Sequence, residues 1–239
     1  MKKNILIVAA NPTTSTTTGW PVGFWASEVT HPYQKLTDFG YDVTIASPKG
    51  GKLEMDELSD PSDASGYSSW DAVSKEVLAI DSFQQSLENT PALSELKIDD
   101  FDAIIVAGGQ APMFNFEQDV ALHEFFASFY ETGKVTAALC HGTAILRYAK
   151  GKDGELIVKG KRVTGFTNGE EDEADQAAGT KVMPWRIEDE LTKREANFQK
   201  SGNWQPYVVT DGNLITGQQN MSGSVVAEAV IEQLENKGN

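Results

Sequence analysis

The stretch Val135-Thr136-Ala137-Ala138-Leu139-Cys140-His141-Gly142-Thr143-Ala144 decides the fold. Its first five residues read as a strand buried on both faces, the pattern of a parallel sheet with helices on either side. The strand then meets a cysteine among small residues. Ala138, Gly142 and Ala144 leave room for a sharp turn against the sheet, which is how a strand-to-helix elbow presents a nucleophile. A lone cysteine is more often a small buried hydrophobe; here the strand, the turn and the adjacent His141 together favour a nucleophile. The N–H groups and dipole of the following helix favour an anion, so the thiol is expected to have a lowered pKa.

Outward from this elbow the same alternation recurs. Asn4 to Ala10, Tyr41 to Ser47 and Phe101 to Ala107 read as further buried strands. Phe24 to Phe39, a segment near Trp70 to Leu87, and Asp119 to Thr132 read as crossover helices. Beyond Cys140 the pattern changes. Leu156-Ile157-Val158 with Val163-Thr164-Gly165, and Val208-Val209-Thr210 with Leu214-Ile215-Thr216, read as hairpin or edge strands, the second pair turning at Asp211-Gly212-Asn213. A helix from Ser224 to Leu234 closes the chain. No repeat or low-complexity tract interrupts this order, so one domain over residues 1–239 is expected. The polar stretches near 53–70 and 168–204 are read as surface insertions, of the kind that carry or cover sites.

Composition narrows the function. The 239 residues carry 20 Lys and Arg against 35 Asp and Glu, a formal charge of −15. Such a single-sign field argues against nucleic acid or an anionic membrane as partner. No run of 18 apolar residues occurs, and the apolar run Ile5 to Val8 is short for a signal peptide, so a cytoplasmic protein is expected. A single cysteine excludes an internal disulfide and a cysteine-based zinc site. The three histidines, His31, His123 and His141, have no metal-ligand spacing, so neither a metal nor a cofactor is expected. Gly108-Gly109 is not part of a G-x-G-x-x-G fingerprint, and Lys49-Gly50-Gly51-Lys52 lacks the spacing of a phosphate-binding P-loop.

Two further segments open at the same carboxyl edge of the expected sheet as Cys140. Gly108 and Gly109 end the third strand, where glycine permits close backbone approach and lets N–H groups face a developing oxyanion. Glu28, at the start of the first crossover helix, is of a type common in a first turn. At this edge a half-buried carboxyl could instead stay protonated beside a thiolate.

Gly19 with Glu28, His31-Pro32, Ser47-Pro48-Lys49-Gly50-Gly51, Ala107-Gly108-Gly109, Ala138-Leu139-Cys140-His141-Gly142, Thr164-Gly165-Phe166-Thr167 and Asp211 to Gly217 together resemble the ThiJ/PfpI superfamily. They are most similar to its stress-inducible, glutathione-independent glyoxalase III branch. The resemblance implies a flavodoxin-like α/β sandwich of the class I glutamine amidotransferase type and a homodimer. It also implies a nucleophilic Cys140, a triad His141, a hydrogen-bonding acid at Glu28, and oxyanion donors in the backbone of Gly109 and His141. The family's triad acid falls a few residues beyond Thr164-Gly165-Phe166-Thr167. An ungapped alignment selects Glu171, and a one-residue shift selects Glu170. Gln110-Ala111-Pro112 departs from the histidine-containing motif that usually follows the paired glycines. Gly108, Gln110, Trp20, Trp25 and Trp185 are therefore candidate lining residues of a substrate pocket.

The expected activity is conversion of methylglyoxal or glyoxal, with water, to lactate or glycolate. A thiolate adds to the aldehyde, an acid/base moves a proton between the two carbons, and the thioester is hydrolysed. The alternatives are a cysteine amidase, peptidase or protein deglycase of the same superfamily, or a stress-holding chaperone or redox sensor without turnover. A true glutamine amidotransferase is disfavoured. Its elbow resembles G-x-C-x-G and its histidine follows near the C-terminus, whereas here position 138 is Ala and no histidine follows His141.

Overall fold

The computed structural model describes residues 2–236; Met1 and residues 237–239 of the expected domain lie outside that range. Six strands form the central sheet: β1 (Asn4–Val8), β2 (Asp42–Ala46), β3 (Ala103–Val106), β4 (Val135–Leu139), β5 (Val208–Asp211) and β6 (Leu214–Gly217). Their spatial order is β5-β6-β4-β3-β1-β2. Every pairing is parallel except β5 with β6, the hairpin expected at Asp211-Gly212-Asn213.

Alternate strand residues supply two cores. Ile5, Ile7, Ala103, Ile105, Val135 and Ala137 face one side and pack with residues of helices α1 (Ala26–Asp38), α2 (Ala72–Leu78), α3 (Asp81–Glu88) and α8 (Gly223–Asn236). Leu6, Val8, Ile104, Val106 and Ala138 face the other side. They share a cluster with residues of α4 (Pro112–Asn115), α5 (Val120–Glu131) and α7 (Ile187–Lys193). The fold is the flavodoxin-like α/β sandwich, a mostly parallel sheet between two helical layers. Burial on both faces explains why the inner strands carry unbroken apolar runs.

Two local expectations are corrected. Leu156-Ile157-Val158 and Val163-Thr164-Gly165 do not pair as a hairpin. Leu156 makes an isolated bridge with Lys150, and Arg162–Val163 pairs in parallel with Asn197–Phe198. The apolar residues Ile157, Val158 and Val163 are buried as parts of a loop-rich layer, so their hydrophobicity marked burial and not a ladder. The polar stretches near 53–70 and 168–204 are also more than surface. Leu53, Asp56, Ser59 and Ser68 are buried in the first. The second forms α6 (Asn168–Ala178) and α7 and buries Glu170, Glu171, Ile187 and Leu191.

At the elbow, β4 passes into a tight 3-10 helix over Cys140–Arg147. Gly142 sits so close to β3 that a Cβ there would lie 2.5 Å from the Val106 carbonyl oxygen and 2.7 Å from that of Ala107. Gly142→Ala is therefore expected to lower stability by more than about 2 kcal/mol, through forced separation of two adjacent segments. A thermal melt unchanged from the native protein would contradict that close approach.

Candidate active site

Cys140 adopts φ 54°, the left-handed region that a side chain enters at a cost. The turn is held by its own hydrogen bond, from Thr143 Oγ1 to the Cys140 carbonyl at 2.6 Å. This geometry lifts the side chain from the end of β4 and bends the neighbouring imidazole back toward it. His141 Nδ1 lies 3.7 Å from Cys140 Sγ, and His141 Nε2 lies 2.9 Å from Glu171 Oε1. The imidazole also stacks on Phe166, with ring centroids 4.2 Å apart.

Glu171 reaches His141 because of how α6 begins. Thr167 caps the helix, its hydroxyl oxygen accepting the Glu170 N–H at 3.2 Å. Glu170 returns the bond through Oε2, accepting the Thr167 N–H at 3.0 Å, which completes a capping box. Glu170 Oε1 accepts from the Trp204 N–H and from Gln218 Nε2, each at 2.9 Å. Glu170 is thus consumed in anchoring the helix, and the next residue turns its carboxylate to the imidazole.

Glu28 lies fully buried in the first turn of α1. Its Oε2 accepts the Gly108 N–H at 2.7 Å, while Oε1 meets no nitrogen or oxygen donor and the carboxyl group contacts the Cys140 thiol. Burial pushes the Glu28 pKa from its ordinary 4.5 up to about 8, with the nearby Asp56 adding to the rise. The expected lowering of the cysteine pKa is corrected. Cys140 is 3% exposed, and its burial first, then the charge of Glu28, pushes the thiol well above its ordinary value. The His141 backbone N–H bonds the sulfur and opposes the rise, but one donor at a short 3-10 helix does not offset lost hydration. A thiolate is accommodated here when Glu28 is the neutral, donating acid, because two adjacent buried anions are strongly disfavoured.

The backbone frames a small space beside the sulfur. A Cβ on Gly108 would lie 2.7 Å from Glu28 Oε2 and 2.8 Å from the N atoms of His141 and Gly142. Gly109 has φ 96°, and a Cβ there would meet Trp25 N, Gly23 O and Phe24 C within 2.6 Å, so only glycine fits. The buried Gly109 N–H has no acceptor among the described residues.

A model of the DJ-1/PfpI family matches residues 21–233. The chain belongs to the DJ-1/PfpI family. Among curated relatives of this DJ-1/PfpI protein, Glyoxalase 3 of Candida albicans is 28% identical over 243 residues, covering 98% of this chain and 99% of its own. A probable glutathione-independent glyoxalase of Schizosaccharomyces pombe is 30% identical over 240 residues, covering 90% and 92%. Among solved structures, Rapid Encystment Protein 24 KDa of Francisella tularensis superposes with TM-score 0.87 at 32% identity, covering 98% and 99%. Glyoxalase III of Candida albicans superposes with TM-score 0.78 at 26% identity, covering 96% of both chains.

The other candidate residues of this DJ-1/PfpI chain are placed unevenly. Trp25 precedes α1, its N–H on the Gly108 carbonyl at 3.4 Å and its ring edge-on to Tyr67. Gln110 donates its backbone N–H to Asp56 Oδ2 at 2.7 Å. Trp20 stands exposed before the helix, and Trp185 lies under the Arg147 guanidinium at 4.5 Å, so neither joins the hydrogen-bonded cluster. Two neighbours escaped sequence reasoning, Asp56 and Phe166. Asp56 was hidden in a stretch rich in Asp, Ser, Pro and Gly, and Phe166 was seen only as part of a motif.

Two outcomes follow from this geometry. Glu171→Gln is expected to leave the fold intact and to lower reactivity that depends on His141, whereas Glu170→Gln should lower the melting temperature by breaking the capping box; the reverse assignment would contradict the contacts. The second concerns pH. The folded-state pKa of Glu28, about 8, lies above its ordinary 4.5, and that of Asp56, about 7, lies above 3.8, in both cases chiefly through burial. The folded protein therefore holds protons that the unfolded chain releases. The associated stability is complete below the unfolded values and is lost as pH rises through 7 to 8. Melting temperature should fall from about pH 5 to pH 8, and Glu28→Gln should flatten that decline. An unchanged slope in the variant would contradict a protonated Glu28.

Proposed function

We propose that the protein is a cofactor-independent glyoxalase, converting methylglyoxal and water to lactate, or glyoxal and water to glycolate. The observation that carries this reading is the contact between the Cys140 thiol and a buried carboxyl group of raised pKa, Glu28, at the edge of a left-handed turn. The names of the relatives support it. A hydrolase needs a base and an oxyanion hole, but it has no use for a neutral acid pressed against its nucleophile. A proton transfer between adjacent carbons does.

In this reading the Cys140 sulfur adds to the aldehyde carbon, and the carbonyl π pair becomes an alkoxide that the Gly109 and His141 N–H groups receive. The thiol proton passes to His141 Nδ1 and Glu28 gives its proton to the alkoxide, which yields a hemithioacetal and leaves Glu28 a carboxylate. Removal of the proton from the former aldehyde carbon gives an enediol, and return of a proton to the adjacent carbon gives the lactoyl thioester. Glu28, beside the sulfur, is the group that takes and returns that proton. His141 returns its proton to Glu28 and, held by Glu171, then activates water, which adds to the thioester carbonyl; collapse breaks the C–S bond and releases lactate with the thiol restored. The substrate is a small aldehyde, in keeping with a sulfur that is almost entirely enclosed. A homodimer in the cytoplasm is part of the same proposal.

Incubation with methylglyoxal and measurement of lactate tests it. Cys140→Ala is expected to abolish lactate formation without loss of fold, since alanine removes only the sulfur. Glu28→Gln should retain alkylation of Cys140 yet lose lactate formation by at least about a hundredfold, because an amide donates but does not shuttle a proton. Turnover in the alanine variant, or native turnover in the glutamine variant, would overturn the mechanism. Lactate absent from the native protein would favour the hydrolase or redox-sensor alternatives.

A further inference from the structure

Asp56 is a buried carboxylate that the proposed mechanism leaves without a role, 1% exposed and close to the site without touching the sulfur. Its two oxygens go to two different segments. Oδ1 accepts the Gly23 N–H at 2.9 Å, and Oδ2 accepts the Gln110 N–H at 2.7 Å. Gly23 belongs to the segment that enters α1 and sets Glu28; Gln110 follows Gly109. The segments are also tied directly, Ala111 N–H to Gly23 carbonyl at 3.0 Å and Trp25 N–H to Gly108 carbonyl at 3.4 Å. The backbone of Asp56 extends the tie. Its N–H donates to the Phe24 carbonyl at 2.8 Å. Its carbonyl accepts the Ser59 hydroxyl at 2.7 Å, and that hydroxyl oxygen accepts the Ala26 N–H, at the first residue of α1, at 3.0 Å.

The two N–H groups, converging from separate segments, each meet their own oxygen of Asp56, and an apolar side chain there would leave both unpaired. Burying a carboxyl group is costly, and this one is spent on the two segments that flank the sulfur. We propose that Asp56 is a positioning residue for thiol addition: it holds the Gly109 N–H and the Glu28 carboxyl in register with the Cys140 sulfur, so that the oxygen of an added aldehyde meets donors already in place. This rests on the glyoxalase reading for its substrate, but the positioning of the donors precedes any later proton transfer. Above about pH 7, where Asp56 ionises, it also acts on its surroundings through its charge. The titratable groups that face it or share its cluster are Glu28 from α1, Cys140 and His141 from the elbow, and Glu170 and Glu171 from α6; it favours the protonated form of Glu28.

The test uses the full chain with Asp56→Asn, which is nearly isosteric, and Asp56→Ser as a second variant should the first fail to fold. Four quantities are read: lactate formation from methylglyoxal, the rate of Cys140 alkylation by iodoacetamide, the methylglyoxal concentration that half-protects Cys140 from that alkylation, and the melting temperature. Expected are a fall in kcat/KM of at least about tenfold, a rise of about tenfold in the half-protecting concentration, and an alkylation rate of the unoccupied thiol within about threefold of native. The upper limb of the kcat/KM profile, where Glu28 ionises, should move to lower pH, because the neighbouring charge that held its proton is gone. Native turnover and protection in the variants would overturn the proposal. So would a loss of turnover accompanied by a fallen melting temperature and rapid alkylation, the signs of a merely structural role. Should the native protein form no lactate, the glyoxalase reading fails and the protection ratio alone decides the role of Asp56. Absence of protection in the native protein overturns both.

Discussion

The contact between the Cys140 sulfur and the Glu28 carboxyl is the constraint around which the carboxyl edge of the sheet is organised. Each group is buried, each is held by a backbone N–H, and neither has water to carry its charge. Placing a thiol and a carboxylic acid in such contact requires Cys140 in the left-handed region at the end of β4 and Glu28 in the first turn of α1. Strands β1, β3 and β4 run parallel and adjacent, so the segments that leave their ends meet at one place. The close approaches at Gly108, Gly109 and Gly142 follow from the same convergence, for a side chain at any of them would push two of these segments apart.

Around this contact the polar groups divide their labour by partner. Glu171 serves His141, while Glu170 spends its oxygens on the start of α6, the backbone of Trp204 and Gln218. Phe166 closes the opposite face of the imidazole and is itself met edge-on by Trp204. The imidazole is thus fixed at Nε2 by charge and in its plane by packing, leaving Nδ1 toward the sulfur. On the other flank, Asp56 joins the segment that carries Glu28 to the one that carries Gly109. Four buried carboxyl groups stand within one site of a chain already at −15, which is sustained only because each has donors and two of them resist ionisation.

Much of the fold was legible because burial on both faces leaves an unmistakable record in strands such as Ile5 to Val8 and Val135 to Leu139. The elbow was legible from the small residues around Cys140. Where apolar residues are buried by loops the same signal misleads, as with Leu156 to Val158, since hydrophobicity reports burial and not ladder formation. The direction of the thiol shift was misjudged for a related reason. A sequence exposes the start of a helix but not the loss of water around the sulfur. The choice between Glu170 and Glu171 did have a local sign, for Thr167 followed by Glu170 is a capping box that occupies the first acid. Asp56 had none: its role arises from two N–H groups, at Gly23 and Gln110, that only the tertiary fold brings to it.

The most direct measurement is the protonation state of the Glu28 carboxyl near neutrality, read as an infrared difference spectrum between the native protein and Glu28→Gln. Burial against the Cys140 sulfur predicts a neutral carboxylic acid at about pH 6 that gives way to carboxylate near pH 8. A Glu28 already ionised at about pH 6 would contradict the pairing of thiol and acid on which the site depends.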